Sequence, residues 1–136
     1  MSILVDTGVF VSAADSDEPR HAEAAAVLAD NRGRLFTTAA VVAETAWPLE
    51  DRLGPGAEAR FLAMVLDEVR FVDLIRADYR RCIELIDRYA DMGLGLVDAS
   101  IVTVAERLGL TTIATLNQRD FRVVRPAHTD AFELVP

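Results

Sequence analysis

The sequence predicts a layered α/β domain in which helices surround a largely parallel central sheet. Short apolar runs rich in β-branched residues recur along the chain, and longer segments with apolar residues at helical spacing follow most of them. The resulting order, β-α-α-β-α-α-β-α-α-β, is typical of parallel strands joined by helical crossovers. A length of 136 residues fits one domain, which we expect to span residues 1–136.

The strands are predicted from apolar runs that stop at polar or glycine-containing turns. The first run ends at Asp6, where the polar sequence Asp-Thr-Gly follows a buried-type segment. In chain order, the predicted strands are Ser2–Val5, Leu35–Thr37, Phe71–Leu74, Thr111–Thr115, Phe121–Val124 and Phe132–Val135.

The helices are predicted from apolar residues three and four apart and from residues that begin or end helices. Acids before Pro19 indicate a helix start, and Gly33 and Gly109 indicate helix ends. Pro48 is expected to interrupt the helix that contains it. In chain order, the predicted helices are Val9–Ala14, a segment opening at Asp17, Thr38–Arg52, Ala57–Val69, Asp78–Ala90 and Val97–Leu108.

The composition excludes several classes of protein. A single cysteine, Cys82, excludes a disulfide scaffold and a cysteine-built zinc site. No apolar run reaches the ~20 residues of a membrane span, and Asp6 follows the N-terminal residues too closely for a signal peptide. We therefore expect a soluble cytoplasmic domain. All 14 basic residues are arginines, which excludes mechanisms that need a lysine.

The net charge of −8 leaves two interpretations. An acidic chain is a poor general binder of nucleic acid, since affinity for phosphates needs basic surface. The chain either avoids nucleic acid, or concentrates its acids in one metal site with arginines around the rim.

Three carboxylates stand alone in apolar segments. Asp6 is the only charged residue among the first 14, Glu44 the only one between Thr38 and Leu49, and Asp98 the only one between residues 92 and 105. A buried carboxylate is costly unless it is paired, hydrogen-bonded or bound to a metal. These three are therefore the candidate site residues, and Asp6 falls where ligands bind to parallel sheets, at the end of a strand.

Each of these acids also has a plain structural interpretation. Asp6 and Asp98 could cap the helices that begin beside them. Glu44 could be a surface residue, but Val41 and Trp47 are three positions away on the same helix face, so we expect Glu44 to turn inward. Pro48 removes the partner of the Glu44 carbonyl and should bend the helix after this acid.

A fourth polar region follows the strand at residues 111–115. Asn117 and Asp120 can each offer an oxygen at the same sheet edge as Asp6, although a plain polar turn has the same composition. Converging carboxylates repel each other, and all-oxygen ligands favour Mg²⁺ or Mn²⁺ over zinc. The natural reaction of such a site is metal-dependent phosphodiester hydrolysis.

Taken in order, these segments give the chain a resemblance to PIN-domain ribonucleases, specifically the VapC-type toxins of bacterial toxin–antitoxin pairs. The matching stretches, which together span nearly the whole chain, are Ile3–Thr7, Val41–Glu44, Gly95–Ile101 and Ala114–Phe121. The resemblance implies a three-layer PIN-like fold and cleavage of RNA, commonly tRNA or rRNA. It also implies inhibition by a cognate antitoxin, and a homodimer.

The resemblance also implies roles for individual residues. Asp6 and Asp98 would hold Mg²⁺ most directly, and Glu44 would bind through water or hold a second metal. Thr7 and Thr115 correspond to the hydroxyl residues that often lie beside the acids. Many relatives have an acid where this chain has Asn117, and here Asp120 supplies one three residues later, so either could be the fourth ligand.

The sequence lacks residues that two other classes of protein with a similar first strand require. A haloacid-dehalogenase-type phosphatase needs a second Asp at the position of Gly8, and a receiver domain needs a lysine. A catalytically weak PIN-like protein that acts mainly as an antitoxin- or RNA-binding module stays open because Asn117 is neutral. Binding of Mg²⁺ or Mn²⁺ distinguishes an intact site from that alternative.

Overall fold

The computed structural model describes residues 1–136 and confirms the α/β class. One five-stranded sheet is flanked by seven α-helices. The strands are β1 (Ile3–Val5), β2 (Leu35–Thr38), β3 (Val69–Val72), β4 (Thr112–Ala114) and β5 (Glu133–Val135). The helices are α1 (Thr7–Ala14), α2 (His21–Asp30), α3 (Ala39–Leu53), α4 (Pro55–Glu68), α5 (Arg76–Arg88), α6 (Leu96–Leu108) and α7 (Gln118–Val123), with a 3-10 turn at Ala90–Met92.

All neighbouring strands run parallel, in the order β3-β2-β1-β4-β5. The first strand is therefore the central one, and Leu4 pairs with Phe36 on one side and Ile113 on the other. β1 and β4 are buried throughout, as expected for strands covered on both faces. The chain leaves β1 for β2 on one side and later returns to β4 on the other. In such sheets, the crevice outside the carboxyl ends of these two strands is where ligands bind.

The helices pack in contiguous groups around this sheet. α1 contacts α2 and α3, α3 also contacts α4 and α6, and α5 packs against α6. The buried apolar side chains of strands and helices form one cluster, in which the rings of Phe10 and Phe61 meet edge to face at 5.3 Å between centroids. None of the helices combines the length and the apolar character that crossing a membrane requires.

Two expectations about local structure are wrong. Phe121–Val124 is not a strand, because α7 runs through Val123 and buries Phe121, while Val124 is buried three positions later, at a helical spacing. α3 is one continuous helix through Pro48. The proline removes the helical partner of the carbonyl of Glu44, a residue on the exposed side of α3, where water can satisfy that carbonyl.

Candidate active site

The ends of the two central strands bring Asp6 and Thr115 together. The Thr115 hydroxyl donates to Asp6 Oδ2 at 2.8 Å, and the backbone N–H of Thr7 donates to Asp6 Oδ1 at 2.7 Å. Asp6 caps α1 through this second bond and is only 7% exposed. The capping role predicted for Asp6 is therefore confirmed, and the same carboxylate also faces the candidate site. Thr115 in turn accepts from the backbone N–H of Asn117 at 3.0 Å, which fixes the start of the next turn.

A second buried contact joins the two helices that carry the other acids. The hydroxyls of Thr38 and Ser100 lie 2.9 Å apart at the starts of α3 and α6. The Ser100 hydroxyl donates its proton to the Val97 carbonyl at 2.6 Å, so in the contact between the two hydroxyls Thr38 is the donor. The Thr38 hydroxyl oxygen also accepts from the Val41 N–H and thereby caps α3. Sequence reasoning missed both residues. A signal was available for Thr38, because threonine after a strand and before a helical pattern is a common N-cap.

These contacts leave an open cleft of about 660 Å³ at the carboxyl ends of the strands. Three of the acids that the sequence predicts as site residues line it together. The lining residues are Asp6, Thr7, Gly8, Glu44, Gly95, Leu96, Val97, Asp98, Leu116 and Asn117. The cleft thus has acidic groups from a strand end, α3 and α6, and an amide from the turn after β4.

Two of these predictions need correction in detail. Glu44 does not turn inward, because the buried stripe of α3 is Val41, Thr45 and Leu49, and this stripe leaves Glu44 and Trp47 exposed. Glu44 reaches the cleft from the exposed side of α3. Asp98 does not cap α6, since the N-cap is Gly95 and no side chain caps this helix. The carboxylate of Asp98 therefore has no capping duty and lies in the first turn of α6, at the cleft.

The two candidate ligands of the fourth region, Asn117 and Asp120, occupy different positions: Asn117 is part of the cleft wall, and Asp120 lies beside the cleft. Asn117 lines the cleft, and its side-chain amide donates to Asp120 Oδ2 at 3.1 Å. Asp120 Oδ1 accepts from Arg119 Nε at 3.3 Å, and the Asp120 side chain is only 14% exposed. The charge of Asp120 is nevertheless close enough to raise the pKa of Asp98. Asp120 is thus an acid beside the cleft, held by two side chains of its own turn.

The acids of the cleft perturb each other. Burial raises the pKa of Asp6 above its usual value, the hydrogen bonds from Thr115 and Thr7 counteract this, and the charge of Glu44 adds to the increase. Burial also raises the pKa of Asp98, and the charges of Asp6, Asp120 and Glu44 raise it further, to about 7. Ionising a carboxylate beside three others is costly because the negative charges repel each other. A bound cation would remove this repulsion.

The raised pKa of Asp98 predicts an unusual dependence of stability on pH in metal-free protein. The folded state holds this proton up to about pH 7, whereas the unfolded chain releases it near the ordinary value of 3.8. Between these values the folded state binds more protons, so the free energy of unfolding should fall as pH rises. We expect the melting temperature in EDTA to decrease by a few degrees more between pH 5 and 7.5 in the wild type than in Asp98→Asn.

Comparing the two proteins cancels the titration of groups that are distant from Asp98, and the difference reports Asp98 together with the acids coupled to it. Melting temperatures at half-unit pH steps give the difference directly. Parallel curves for the wild type and Asp98→Asn would contradict a raised pKa at this residue.

The donor set fits a hard divalent cation. No three His, Cys, Asp or Glu side chains converge tightly enough to form a ready-made cage, so the acids line one open cleft instead. The polar side chains in that cleft are carboxylates, a hydroxyl and an amide, all of which offer an oxygen atom as a metal ligand. The absence of histidine and thiol groups among them favours Mg²⁺ or Mn²⁺. The hydroxyl oxygen of Thr7 is buried beside Asp6 without any hydrogen-bond partner.

The fold and this cleft define a class of protein that comparison with known families identifies. A PIN domain model matches residues 3–125, and the chain belongs to the PIN domain family. A curated relative is Ribonuclease VapC26 of Mycobacterium tuberculosis, which is 27% identical over 135 residues, covering 98% of this chain and 100% of the relative.

Solved structures share the fold at lower sequence identity. VapC20 of Mycobacterium tuberculosis, a toxin that cleaves the sarcin-ricin loop, superposes with a TM-score of 0.76 at 24% identity, over 82% of this chain and 87% of that one. A toxin–antitoxin complex from Klebsiella pneumoniae gives a TM-score of 0.70 at 21% identity, over 96% and 99% of the two chains. These likenesses establish the three-layer PIN-like architecture of this chain.

Proposed function

We propose that this protein is a metal-dependent endoribonuclease and the toxin of a toxin–antitoxin pair. The observation that carries the proposal is the convergence of Asp6, Glu44 and Asp98 on one cleft at the carboxyl ends of β1 and β4. These acids come from three separate segments of the chain, which belongs to the PIN domain family. A curated relative of this chain, VapC26, is a ribonuclease. An acidic, all-oxygen cleft suits hydrolysis of a phosphodiester assisted by a divalent cation.

The residues of the cleft have distinct proposed roles. Asp6 and Asp98 would hold Mg²⁺ or Mn²⁺ directly, and Glu44 would act through water or hold a second ion. Thr115 and the Thr7 N–H fix both oxygens of Asp6, so this carboxylate is already oriented. The ion, when bound, would supply activation of water and neutralisation of the leaving oxygen.

The proposed substrate is cellular RNA, with tRNA or rRNA as the leading classes. The openness of the cleft suits a loop or another unpaired segment, in which the backbone can reach acids at the base of a groove. VapC20, which shares the fold, cleaves the sarcin-ricin loop. Because the proposed substrate is cellular RNA, we propose that the protein acts in the cytoplasm.

The direct test is cleavage of total cellular RNA by the purified chain, followed by mapping of the new ends. We expect discrete cleavage with Mg²⁺ or Mn²⁺, none in EDTA, and recovery when excess Mg²⁺ is added back. The Asp98→Asn protein, purified in the same way, controls for contaminating nuclease. Unchanged cleavage in EDTA would exclude metal dependence, and no new ends under any condition would exclude the activity.

A cognate antitoxin is the proposed partner. An acidic cleft can accept an arginine or lysine side chain, and bidentate pairing of arginine with a carboxylate is a strong polar contact. We therefore propose that an antitoxin, encoded beside this gene, covers the cleft and inserts a basic side chain near Asp6 and Asp98. Several solved relatives are toxin–antitoxin complexes.

Co-expression tests the antitoxin proposal. Expression of the chain alone should arrest growth, and one flanking small open reading frame should restore both growth and intact RNA. If every flanking frame leaves growth arrest and RNA cleavage unchanged, the partner is not encoded there and the proposal fails. The homodimer that the resemblance implies is a separate proposal, which light scattering on the purified chain decides.

A second function deserves a test because of one residue. Asn117 is neutral at a cleft position where many PIN-domain proteins have an acid, so a weak or inactive protein that only binds RNA or antitoxin is the alternative. The proximity of Asp120 argues against it, since this acid keeps a fourth negative charge next to the cleft.

A further inference from the structure

The most exposed aromatic side chain of the protein stands beside the candidate active site. Trp47 is 69% exposed, although tryptophan is highly buried on average. It lies one helical turn after Glu44 on α3, and this spacing places the two side chains on the same side of the helix. The packing of the domain does not use this side chain, because the buried stripe of α3 consists of other residues.

A second cavity connects Trp47 to the acidic cleft. This cavity, of about 400 Å³, is lined by Trp47, Pro48 and Arg52, among other residues. It shares three wall residues with the acidic cleft, namely Thr7, Gly8 and Glu44. The two cavities are therefore neighbours, with Glu44 between the acidic cleft at Asp6 and Asp98 and the cavity at the indole ring.

The charges in this second cavity decide which part of a nucleotide suits it. Its walls hold the acids Glu18 and Glu44 against one base, Arg52, and Arg52 Nη1 already donates to Glu18 Oε1 at 2.6 Å. A phosphate group there would meet a net negative wall with its only cation engaged. An uncharged base carries no such penalty, and its flat face matches an indole ring.

We propose that Trp47 is a stacking platform for an unpaired RNA base next to the phosphodiester that a divalent cation would bring to the acidic cleft. This inference rests on the proposed ribonuclease function and assigns a subsite in the cavity next to the acidic cleft. Base–aromatic stacking contributes substantially to single-strand binding and tolerates different bases. Trp47 thereby selects RNA segments whose base next to the cleavage point is free to leave its helix.

Replacement of the ring tests the proposal through substrate affinity. Trp47→Leu keeps an apolar side chain but removes the ring, and we expect about a tenfold rise in KM with kcat almost unchanged. Trp47→Phe keeps a smaller ring and should stay within about threefold of the wild type. Leu66→Ala, at a residue of α4 that is 72% exposed, is the matched surface control and should leave KM unchanged. Wild-type KM in Trp47→Leu would overturn the proposal.

Fluorescence gives a second readout that does not depend on cleavage. Trp47 is the only tryptophan, so its emission reports this position alone. Titration of the Asp98→Asn protein with a single-stranded oligoribonucleotide in Mg²⁺ should quench the emission to saturation. An unchanged spectrum at RNA concentrations that saturate binding in a filter assay would overturn the proposal and leave Trp47 to a protein contact. Saturable quenching in a wild type that cleaves no RNA would instead uphold the stacking site and reject the ribonuclease.

Discussion

Replacement of Asp98 by Asn should reduce RNA cleavage by at least about 100-fold while leaving the fold intact. The substitution keeps the shape of the side chain and removes the charge that would hold a divalent cation, which supplies several kcal/mol of transition-state stabilisation. Asp98 has no capping role in α6 and no hydrogen bond that the fold depends on. Because it also relieves repulsion from Asp6, Asp120 and Glu44, the variant should be at least as stable as the wild type in EDTA.

Cleavage rates and far-ultraviolet circular dichroism of the same preparation provide the measurement. Asp67→Asn makes the same chemical change at an exposed position of α4 and should keep full activity. Asp6 is a poorer choice for this experiment, because its carboxylate also caps α1 and a loss of activity could reflect a loosened helix. Full activity in Asp98→Asn would reject the acidic cleft as the catalytic centre.

Asp120→Asn should weaken both Mn²⁺ binding and cleavage by about tenfold, whereas Asn117→Ala should weaken them by about threefold or less. Loss of Asp120 removes one of four negative charges next to the cleft, and charge dominates the affinity of a hard cation. Loss of the Asn117 side chain removes a neutral oxygen and one hydrogen bond to Asp120, while the backbone bond from residue 117 to Thr115 remains.

Calorimetric titrations with Mn²⁺ give the metal affinity of each variant, and cleavage assays on the same proteins give its activity. Asp130→Asn, at an exposed position in the loop before β5, is the control for a general change in surface charge. A silent Asp120→Asn next to a severely impaired Asn117→Ala would reverse the assignment and make the Asn117 carbonyl oxygen the fourth ligand.

The sequence was informative where one residue type had few alternatives. An isolated carboxylate directly after a buried strand left only a cap or a ligand for Asp6, and the structure shows the cap together with a place at the cleft. The parallel sheet was equally predictable, since alternating strands and helices permit few other arrangements. The Thr38–Ser100 contact was not, because it joins residues 62 positions apart and no local pattern encodes such a pair.

The errors arose where two periodicities competed. The expectation for Glu44 relied on apolar neighbours three positions away, but the core side of α3 follows a spacing of four and includes the polar residue Thr45. Thr45 can be buried because its hydroxyl donates to the Val41 carbonyl at 2.8 Å, a partner that hydropathy does not reveal. At residues 121–124, the β-branched content of a short run favoured a strand, but α7 continues to Val123 and buries Phe121.

The hydrogen bond between Thr115 and Asp6 joins residues 109 positions apart. One side of the central strand β1 pairs with β2, and the other side stays unpaired until β4 has been made. A ribosome that has made the first hundred residues has therefore made three strands and most helices, but no assembled cleft. Contacts of such long range also form slowly, because the chain must close a large loop first. A chain that ends before β4 lacks Thr115 and Asn117 and cannot complete the cleft, so under the proposed function it would not cleave RNA.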